Sequence, residues 1–406
     1  MVYYIKKICK AMKILHLSLT DAEGGAAIAM QRLHQQLLKN RVESLILTMN
    51  KKTADTTVLY VSDLYNSTDR IHRFCDKVIH RITKKKYKSY IYSILERIDF
   101  DVLHLHWIED DYGDMLSWFD LKSLRKPIVV SLHDCVNFTG GCHYYYYCYG
   151  FCKNCINCPV ERYHKISNKQ FCFKKKWYSI LRPYFVAPSR WMQTIAQKSQ
   201  LLSNSIVDFI PHGIDTNVFR MIPKDTARET LGYKKDDIIL LAGAVSVTDK
   251  IKGMSDLPVI LSQIKLLYPH KNVRMLCFGK ATIKLEGIEY VGMKSDVNEM
   301  VLLYSAADVM LVPSRQEAFG LTTEEAMACG TPVVIYKETG MEDMIVCGEN
   351  GYVAEKENIN DFVHGVKLCI DNPNYGLNAR NRIEMHFTAE QMALNYIKLY
   401  EQILNK

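Results

Sequence analysis

The chain lacks any apolar run long enough to span a membrane. The longest such run, IILLAGAVSV (238–247), has ten residues, whereas a spanning helix needs about twenty. Short-period repeats and low-complexity tracts are also absent, which excludes repeat arrays. No nucleic-acid recognition motif accompanies the basic residues, so nucleic acid is not an expected partner. These exclusions leave the class of globular proteins. The composition, 48% hydrophobic and 24% charged residues, is typical of that class.

The first residues, MVYYIKKICKAMKILHLSL, lack the long apolar core of a signal peptide. Their apolar part is short, contains His16 and continues into a strand pattern. We therefore expect a cytoplasmic protein, with Met12 as an alternative start to Met1. In that reducing compartment, the thirteen cysteines are expected to be thiols, metal ligands or buried apolar residues rather than disulfides.

Positive charge is concentrated in the first half of the chain. Residues 1–210 carry a net charge of +13, and residues 211–406 carry a net charge of −5. Two basic clusters lie beside aromatic residues, KKKY (84–87) and FKKKW (173–177). Such clusters can rest on an anionic membrane surface, where each basic residue contributes about 1 kcal/mol. Solvated helix faces are the alternative interpretation.

Short apolar segments alternate with segments of helical spacing. Buried strands that alternate with helices form parallel sheets covered on both faces. We therefore predict an α/β fold of two Rossmann-like, doubly wound domains, residues 1–210 and 211–387, followed by a C-terminal helix (388–406). Ligands of such folds bind beyond the carboxyl ends of the strands, so the active site is expected in a cleft between the domains.

The predicted elements follow one another in a regular order. Strands are expected at 12–19, 42–49, 101–107, 126–133, 185–188, 205–215, 237–244, 274–279, 307–314 and 331–336. Helices are expected at 24–39 and 388–405, after Ser189 as an N-cap residue, and after each of the strands at 237–244, 274–279 and 307–314.

Two groups of small or charged residues follow predicted strands. DAEGGAA (21–27) places Gly24 and Gly25 at a helix start, where backbone amides can hold a phosphate or sugar. TDKIKG (248–253) places Lys252 just before a helix, as a point charge for phosphate. A tight turn and a surface lysine are the structural alternatives.

A third group is SRQEAFGLTTEEAMACGTPVV (314–334). It places Glu317 and Glu325 on either side of a helix start near Gly320. Helix-start amides suit a diphosphate, and Glu325 could accept a pair of sugar hydroxyls. Acids that complement the helix dipole are the alternative.

Together these groups resemble the retaining glycosyltransferases of family 4, which have the GT-B architecture of two Rossmann-like domains. The most specific motif is E-x7-E, in EAFGLTTEE (317–325), and the GG loop, IPHGIDTNVF (210–219) and KG (252–253) support it. The colanic-acid-type transferases of bacterial surface polysaccharides are the most similar subgroup. That similarity lies in LHLHWI (103–108), SLHD (131–134) and FTGGCHY (138–144).

The resemblance implies that the second domain holds a nucleotide-diphosphate sugar. Lys252 would neutralise the diphosphate, Glu317 would contact the donor sugar, and Glu325 would hold the ribose. Residues around the helix start would approach sugar and phosphate: Phe319, Gly320, Leu321 and Thr322. His133, at a strand end in the first domain, matches a family histidine that lies by the donor sugar, and a buried structural histidine is the alternative.

One position departs from the family pattern. Members carry an arginine where this chain has Ser246, six residues before Lys252. Lys250 is the expected substitute for the missing charge. No catalytic metal is expected, because Lys252 and helix amides can stabilise a leaving diphosphate. The D-x-D pattern of residues 99–101 is interpreted as acids before a strand.

Five cysteines lie in GGCHYYYYCYGFCKNCINCP (140–159), within a loop of about residues 135–172. Cys155 and Cys158 have the C-x2-C spacing of half a zinc site. Cys142 and Cys148 are the expected other half, with Cys152 as a substitute. A structural zinc ion would order this loop, while an iron–sulfur cluster and free packed thiols are the alternatives. The tyrosines at 144–147 either stack on an acceptor sugar or pack internally.

The sequence thus predicts a metal-independent hexosyltransferase. It would move a sugar, with retention, from a nucleotide-diphosphate donor to a hydroxyl of a growing lipid-linked glycan. The expected role is the synthesis of capsule, O-antigen or exopolysaccharide at the inner membrane face. The alternatives are a non-catalytic protein that binds nucleotide sugar or glycan, and a GT-B epimerase or phosphorylase.

Overall fold

The computed structural model describes residues 12–64, 90–110, 113–114, 121, 124–160, 166–246, 249–281, 284–294 and 296–406. The first basic cluster, at 84–87, lies outside these residues, so its proposed exposure is not addressed by the structure.

Strands and helices alternate through the first half of the chain. In chain order they are β1 (Lys13–Thr20), α1 (Gly24–Lys39), β2 (Glu43–Asn50), β3 (Val58–Tyr60), α2 (Tyr90–Leu95), β4 (Val102–Leu105), β5 (Glu109–Asp110), β6 (Gly113–Asp114), β7 (Ile128–Ser131), α3 (Ser167–Leu181), β8 (Tyr184–Ala187), α4 (Arg190–Gln197) and β9 (Val207–Phe209).

The alternation continues in the second half. Its elements are α5 (Lys224–Leu231), β10 (Ile238–Ser246), α6 (Leu257–Leu267), β11 (Val273–Lys280), β12 (Ile288–Gly292), α7 (Val297–Ala306), β13 (Val309–Val312), α8 (Leu321–Ala328), β14 (Val333–Tyr336), β15 (Gly351–Ala354), α9 (Ile359–Asp371), α10 (Asn374–His386) and α11 (Ala389–Leu404).

The described residues form two large sheets. One has seven strands in the order β3-β2-β1-β4-β7-β8-β9, and the other has six in the order β12-β11-β10-β13-β14-β15. The pairings of β1 with β2 and β4, and of β10 with β11 and β13, are parallel. Both orders reverse direction at an inner strand, which is typical of doubly wound sheets. The predicted fold class of two Rossmann-like parallel-sheet domains is confirmed.

The side chains of strand β10 show that the second sheet is covered on both faces. Its residues alternate between two apolar clusters, with Ile239 and Leu241 in one and Leu240 and Ala242 in the other. All four side chains are fully buried. Because successive strand residues point to opposite faces, a continuous apolar strand needs an apolar layer on each side.

The chain divides into two compact units. Unit 1 comprises residues 1–186, 197–208 and 393–406, and unit 2 comprises residues 187–196 and 209–392. The predicted limits, 1–210 and 211–387, differ from this division in two places. Most of α4 belongs to unit 2, and the greater part of α11 belongs to unit 1.

Helix α4 begins as the sequence predicts. The Ser189 hydroxyl accepts a hydrogen bond from the Met192 amide at 3.0 Å, which is the geometry of an N-cap residue. The same hydroxyl donates to the carbonyl of Ala318 at 2.7 Å, so the cap also ties α4 to the loop after β13.

Among the described residues, no helix combines the length and the apolar character that a membrane crossing requires.

Candidate functional site

Lys252 and Glu317 meet in unit 2, although 65 residues separate them in the chain. The Lys252 ammonium lies 2.5 Å from Glu317 Oε2, and the two side chains are 23% and 19% exposed. Lys252 ends a short 3₁₀ turn after β10, and Glu317 lies in the loop after β13. Since β10 and β13 are neighbouring parallel strands, the loops at their carboxyl ends come together.

Backbone contacts fix the turn that carries Lys252. The Arg315 amide donates to the carbonyl of Ile251 at 2.7 Å, and the Asp249 carboxylate caps the Ile251 amide at 3.0 Å. Gly253 follows with φ +65°, and a Cβ there would lie 2.0 Å from the carbonyl oxygen of Pro313. Only glycine fits so close to the neighbouring loop, which explains the KG pair of the sequence.

A buried ion pair supports the same loops. The Arg315 guanidinium donates to both carboxylate oxygens of Asp256, at 2.9 and 2.8 Å, and the Tyr336 hydroxyl donates to Asp256 at 3.0 Å. Burial, together with the Asp256 charge, raises the pKa of Tyr336. Sequence reasoning missed this cluster. Its signal in the sequence was the arginine three residues after β13, and the aspartate partner lies 59 residues away.

Helix α8 begins at Gly320, where φ is +91°. A Cβ on Gly320 would lie 2.5 Å from Met341 Cγ, so the turn requires glycine for its dihedral angle and for space. The Gly320 carbonyl accepts the amides of Thr323 and Glu324. Leu321 and Thr322 are half-buried at the first helical positions, where backbone amides have no carbonyl within the helix to bond.

The ring of Phe319 is packed into the interior of unit 2. The ring is 2% exposed and packs edge-on against His212, with ring centroids 5.0 Å apart, and against Phe387. A buried ring fixes the position of the main chain just before α8. The predicted approach of the Phe319 amide to a ligand is consistent with that packing.

Glu325 is held by a residue that the sequence did not reveal. The Tyr304 hydroxyl, on α7, donates to Glu325 Oε2 at 2.9 Å. Tyr304 itself is fully buried. A half-buried carboxylate fixed by a tyrosine is oriented rather than mobile, which suits a group that accepts ligand hydroxyls.

The other predicted donor residues lie on β10, on the 3₁₀ turn after it and at the start of α1. Lys250 is exposed at the start of the 3₁₀ turn, and Ser246 is the last residue of β10, in register with Lys280. Gly24 and Gly25 are exposed at the first positions of α1, in unit 1. Gly24 has φ +85°, and an added Cβ would meet nothing within 4 Å.

His133 lies just after β7 in a chain of three imidazole rings. His133 Nε2 is 2.9 Å from His106 Nδ1, and His106 Nε2 is 2.9 Å from His16 Nδ1. Burial lowers the pKa of His133 to about 4, although Asp134 acts in the opposite direction. A neutral imidazole donates from only one nitrogen, so the tautomer of each ring constrains the next.

This histidine cluster was not predicted, but the sequence contains its signal. His104 and His106 alternate along one strand direction, and His16 lies opposite His104 in the β1–β4 register. Donor atoms of these three rings all lie within 4.8 Å of one another. His104 is already bonded to Tyr400 and to Ser131. The arrangement is therefore a hydrogen-bonded network more than an open ligand set.

The D-x-D pattern has the structural role that was expected. Asp99 accepts a hydrogen bond from the Lys13 ammonium at 2.8 Å, and Asp101 accepts from the Lys13 amide at 2.9 Å. These acids tie the start of β4 to β1.

The tyrosines of the cysteine-rich loop differ in their exposure to solvent. Tyr145 is buried, whereas Tyr146 and Tyr147 are 47% and 43% exposed.

The fold is that of a GT-B protein, and comparison with known families agrees. Residues 23–218 match the family described as Glycosyltransferase Family 4, and residues 250–385 match Glycosyl transferases group 1. The chain therefore carries the paired family 4 and group 1 domains of the GT-B glycosyltransferases. The resemblance inferred from the motifs is confirmed at this level.

Several curated relatives are D-inositol 3-phosphate glycosyltransferases. The protein from Segniliparus rotundus is 32% identical over 151 residues, which cover 33% of this chain and 32% of that protein. The protein from Catenulispora acidiphila is 24% identical over 307 residues, which cover 68% and 65%. The chain thus spans between a third and two thirds of the length of these relatives.

Solved structures share the fold along almost the whole chain. Sucrose-phosphate synthase from Thermosynechococcus elongatus has a TM-score of 0.69 at 17% identity, covering 97% of this chain and 99% of that one. Anabaena Alr3699/HepE, solved with UDP and glucose, has a TM-score of 0.67 at 16% identity, covering 96% and 99%. At these identities the likeness establishes the fold alone.

Proposed function

We propose that this protein is a glycosyltransferase that moves a sugar from a nucleotide-diphosphate donor to an acceptor hydroxyl. The observation that carries the proposal is the Lys252–Glu317 pair, 2.5 Å apart, beside the start of α8. A cation, an acid and the amides of a helix start converge there. This combination suits a ligand with both an anionic diphosphate and a hydroxyl-rich sugar.

The proposed chemistry depends on charge that develops as the glycosidic bond to the diphosphate breaks. The sugar becomes cation-like, and negative charge grows on the leaving diphosphate. The Lys252 ammonium would move from Glu317 to a diphosphate oxygen, and the α8 amides would add hydrogen bonds to it. Donors held in place before the reaction stabilise such charge without solvent reorganisation, so the proposal needs no metal ion.

Glu317 and Glu325 are proposed to bind the two sugars of the donor. Released from Lys252, the Glu317 carboxylate would accept hydroxyls of the transferred sugar. Glu325, oriented by Tyr304, would accept the ribose hydroxyls. Lys250 would supply the positive charge that is missing because Ser246 stands where the family has an arginine. His133 would contact the donor sugar. Retention of configuration at the sugar is part of the proposal.

The acceptor is proposed to be a lipid-linked glycan, in a colanic-acid-type pathway for surface polysaccharide. The motifs around residues 103–144 and the basic first half of the chain support this choice. The names of the curated relatives favour a different acceptor, D-inositol 3-phosphate. A panel of acceptors should therefore include both a lipid-linked glycan and D-inositol 3-phosphate. The nucleotide released in the presence of each acceptor is measured.

We propose that the protein attaches to the inner membrane face through fewer residues of the second basic cluster than the sequence suggested. Lys174 and Trp177 of the second basic cluster are buried, at 3% and 4% exposure. Phe173, Lys175 and Lys176 are exposed on α3. Flotation with anionic phosphatidylglycerol vesicles should recover the protein at low salt and lose it at high salt. Equal recovery with neutral vesicles would contradict this attachment.

Donor hydrolysis tests the proposed activity. Purified protein is incubated with UDP-, GDP- and ADP-sugars, and the released nucleoside diphosphate is counted. We expect one donor to be cleaved, and Glu317→Ala to reduce cleavage by about 100-fold or more. Glu286→Ala, which removes an exposed acid of the same unit, is the matched control. Donor binding without any cleavage, with or without acceptors, would favour the non-catalytic alternative that the Ser246 departure suggests.

A further inference from the structure

Three imidazole rings of unit 1 are bonded in a row, and we call them the histidine chain: His16, His106 and His133. His16 lies on β1, His106 directly follows β4, and His133 lies just after β7. The ring nitrogens of neighbouring members are 2.9 Å apart at both contacts. The proposed function uses His133 alone, so it does not explain why two further imidazoles stand in line behind it.

The histidine chain runs from the interior of unit 1 towards its surface. His16 is fully buried, His106 is 3% exposed, and His133 is half-buried. The His106 amide donates to the Leu17 carbonyl at 3.0 Å, which extends the pairing of β4 with β1 by one residue. The His104 ring packs against that of His106, with ring centroids 4.1 Å apart. Rings held by backbone bonds and packing keep their spacing, so each ring can constrain the next.

Burial favours the neutral form of these rings. It lowers the pKa of His16 well below its usual value, and the neighbouring His104 acts in the same direction. It also lowers the pKa of His133 to about 4. A neutral imidazole carries one N–H and one bare nitrogen. Each nitrogen-to-nitrogen contact therefore has one donor, and only two arrangements of hydrogens satisfy both contacts of the histidine chain.

The buried end of the histidine chain distinguishes these two arrangements. Within the part of the protein that the structure describes, His16 Nε2 is buried without a hydrogen-bond partner. This nitrogen is a bare acceptor in one arrangement and an N–H in the other. Among backbone groups, a buried N–H without a partner is rarer than an unpartnered acceptor. We expect the same preference for an imidazole, which favours the arrangement with a bare His16 Nε2.

We propose that His106 is a positioning residue that fixes the tautomer of His133. In the favoured arrangement, His16 Nδ1 donates to His106 Nε2, and His106 Nδ1 donates to His133 Nε2. His133 then carries its own hydrogen on Nδ1 and offers a ligand a hydrogen-bond donor, which suits an oxygen of a sugar. The inference rests on the proposed contact between His133 and the donor sugar, and it adds which hydrogen-bonding role His133 has there.

Nitrogen-15 NMR of the histidine rings reports the tautomer directly and needs no sugar donor. The full chain is labelled with ¹⁵N-histidine, and the ring nitrogen chemical shifts distinguish Nδ1–H from Nε2–H. Because the protein has thirteen histidines, the signals are assigned by their loss in His16→Leu, His106→Leu and His133→Leu. We expect Nδ1–H for all three members of the histidine chain. An Nε2–H or a doubly protonated ring at His133 would overturn the proposal.

Two substitutions of His106 separate hydrogen bonding from packing. His106→Leu removes the donor to His133 Nε2, so the Nε2–H form of His133 should appear. His106→Asn places an amide donor near the position of Nδ1 and should keep His133 as Nδ1–H. The control His34→Leu removes a buried imidazole bonded to Ser44 and Thr57, outside the histidine chain, and should leave His133 unchanged. An unchanged His133 in His106→Leu, or equal effects of the Leu and Asn variants, would contradict the positioning role.

Donor cleavage connects the tautomer to the proposed activity. With the donor that the wild type cleaves, we expect His106→Leu to lower kcat/KM by about 5- to 30-fold, as for one lost hydrogen bond, and His106→Asn to keep most of it. Full cleavage by His106→Leu with an altered tautomer would contradict the role of the tautomer in donor contact. If no donor is cleaved, the proposed function fails, and NMR still decides the tautomer. If His106→Leu does not fold, the wild-type tautomer decides.

Discussion

Tyr304 and Glu325 allow a test at the scale of one hydrogen bond. Tyr304→Phe removes the hydroxyl that donates to Glu325 at 2.9 Å and leaves the proposed donor contacts in place. Without this hydrogen bond the Glu325 carboxylate should be less well oriented and should bind the ribose less tightly. We therefore expect the donor KM to rise about 2- to 10-fold with kcat unchanged. Tyr268→Phe, which removes a hydroxyl bonded to Asp371, should change neither constant. A lower kcat at constant KM would contradict this role.

Gly320 is needed for two separable reasons. Gly320→Ala places a Cβ 2.5 Å from Met341 Cγ at a backbone φ of +91°. Gly232→Ala imposes a similar φ of +75°, with no atom within 4 Å. Strain alone should cost about 1–2 kcal/mol, and Gly320→Ala should cost more because Met341 must move. Urea unfolding of both variants measures the difference, and equal losses would exclude the crowding argument.

Sequence reasoning selected some residues of the candidate site and missed others for a physical reason. Lys252, Glu317 and Glu325 sit in short motifs at strand ends, where the local pattern marks them. Tyr304 and Arg315 act through partners 21 and 59 residues away, on elements whose contact depends on tertiary packing. Local spacing carries no information about such pairs.

At the scale of elements, α3 shows how a sequence cluster can mislead. FKKKW was interpreted as a basic, aromatic surface, yet Lys174 and Trp177 are buried. Residues three apart lie on one face of a helix, so helical geometry separates these two from Lys175 and Lys176. Only part of the cluster, Phe173, Lys175 and Lys176, is therefore exposed on the surface.

Buried Lys174 should matter more for stability than its neighbour. Lys174→Met removes the ammonium that donates to the Val136 carbonyl at 2.7 Å, leaving that acceptor buried. We expect a loss of about 1–3 kcal/mol in the free energy of unfolding. Lys175→Met, at an exposed position of the same helix, should change it by less than about 0.5 kcal/mol. Denaturant unfolding of both variants and of the wild type gives these values, and equal effects would contradict the buried role.

Element prediction succeeded where apolar pattern and length agree. The predicted helix at 24–39 matches α1, and the strand predicted at 331–336 contains β14. Five short strands were missed. Two of them, β5 and β6, form a separate two-stranded sheet, and the other three are β3, β12 and β15. Each lies at the edge of its sheet, where burial on one side only leaves a weak apolar signal.

At the scale of the whole molecule, the division into units depends on long-range contacts. Helix α11 was predicted as a separate C-terminal element, but its greater part, from residue 393 onwards, belongs to unit 1. There the hydroxyls of Tyr396 and Tyr400 bond to Ser131 and His104. Such contacts span more than 260 positions in the chain, so no local pattern predicts them.

Buried neutral histidines should make unit 1 sensitive to acid. His34 bonds to Ser44 and Thr57, and burial lowers its pKa to about 4 despite Asp55. An unfolded histidine has a pKa of about 6.5, so the unfolded chain binds more protons between these values. Stability is then complete above about pH 6.5 and falls as the pH drops towards 4, by up to about 1.4 kcal/mol per unit for this residue.

Urea unfolding followed by fluorescence measures this effect. We expect a lower midpoint at about pH 5 than at about pH 7.5. Burial shifts the pKa values of His16, His104 and His133 in the same direction, which should steepen the change. His34→Gln should reduce the pH dependence of the midpoint. An identical midpoint at both pH values would contradict the neutral, buried state of these rings.

The central claim is that Lys252 binds the diphosphate of a nucleotide donor, and calorimetry tests it most directly. UDP, GDP and ADP are titrated into the wild type, Lys252→Ala and Lys265→Ala, the last removing an exposed lysine of α6. We predict that one nucleotide binds the wild type and Lys265→Ala equally, and binds Lys252→Ala about 10- to 100-fold more weakly, the equivalent of a charge-assisted contact. Equal affinity for the wild type and Lys252→Ala, or no binding of any of the three nucleotides, would contradict the account.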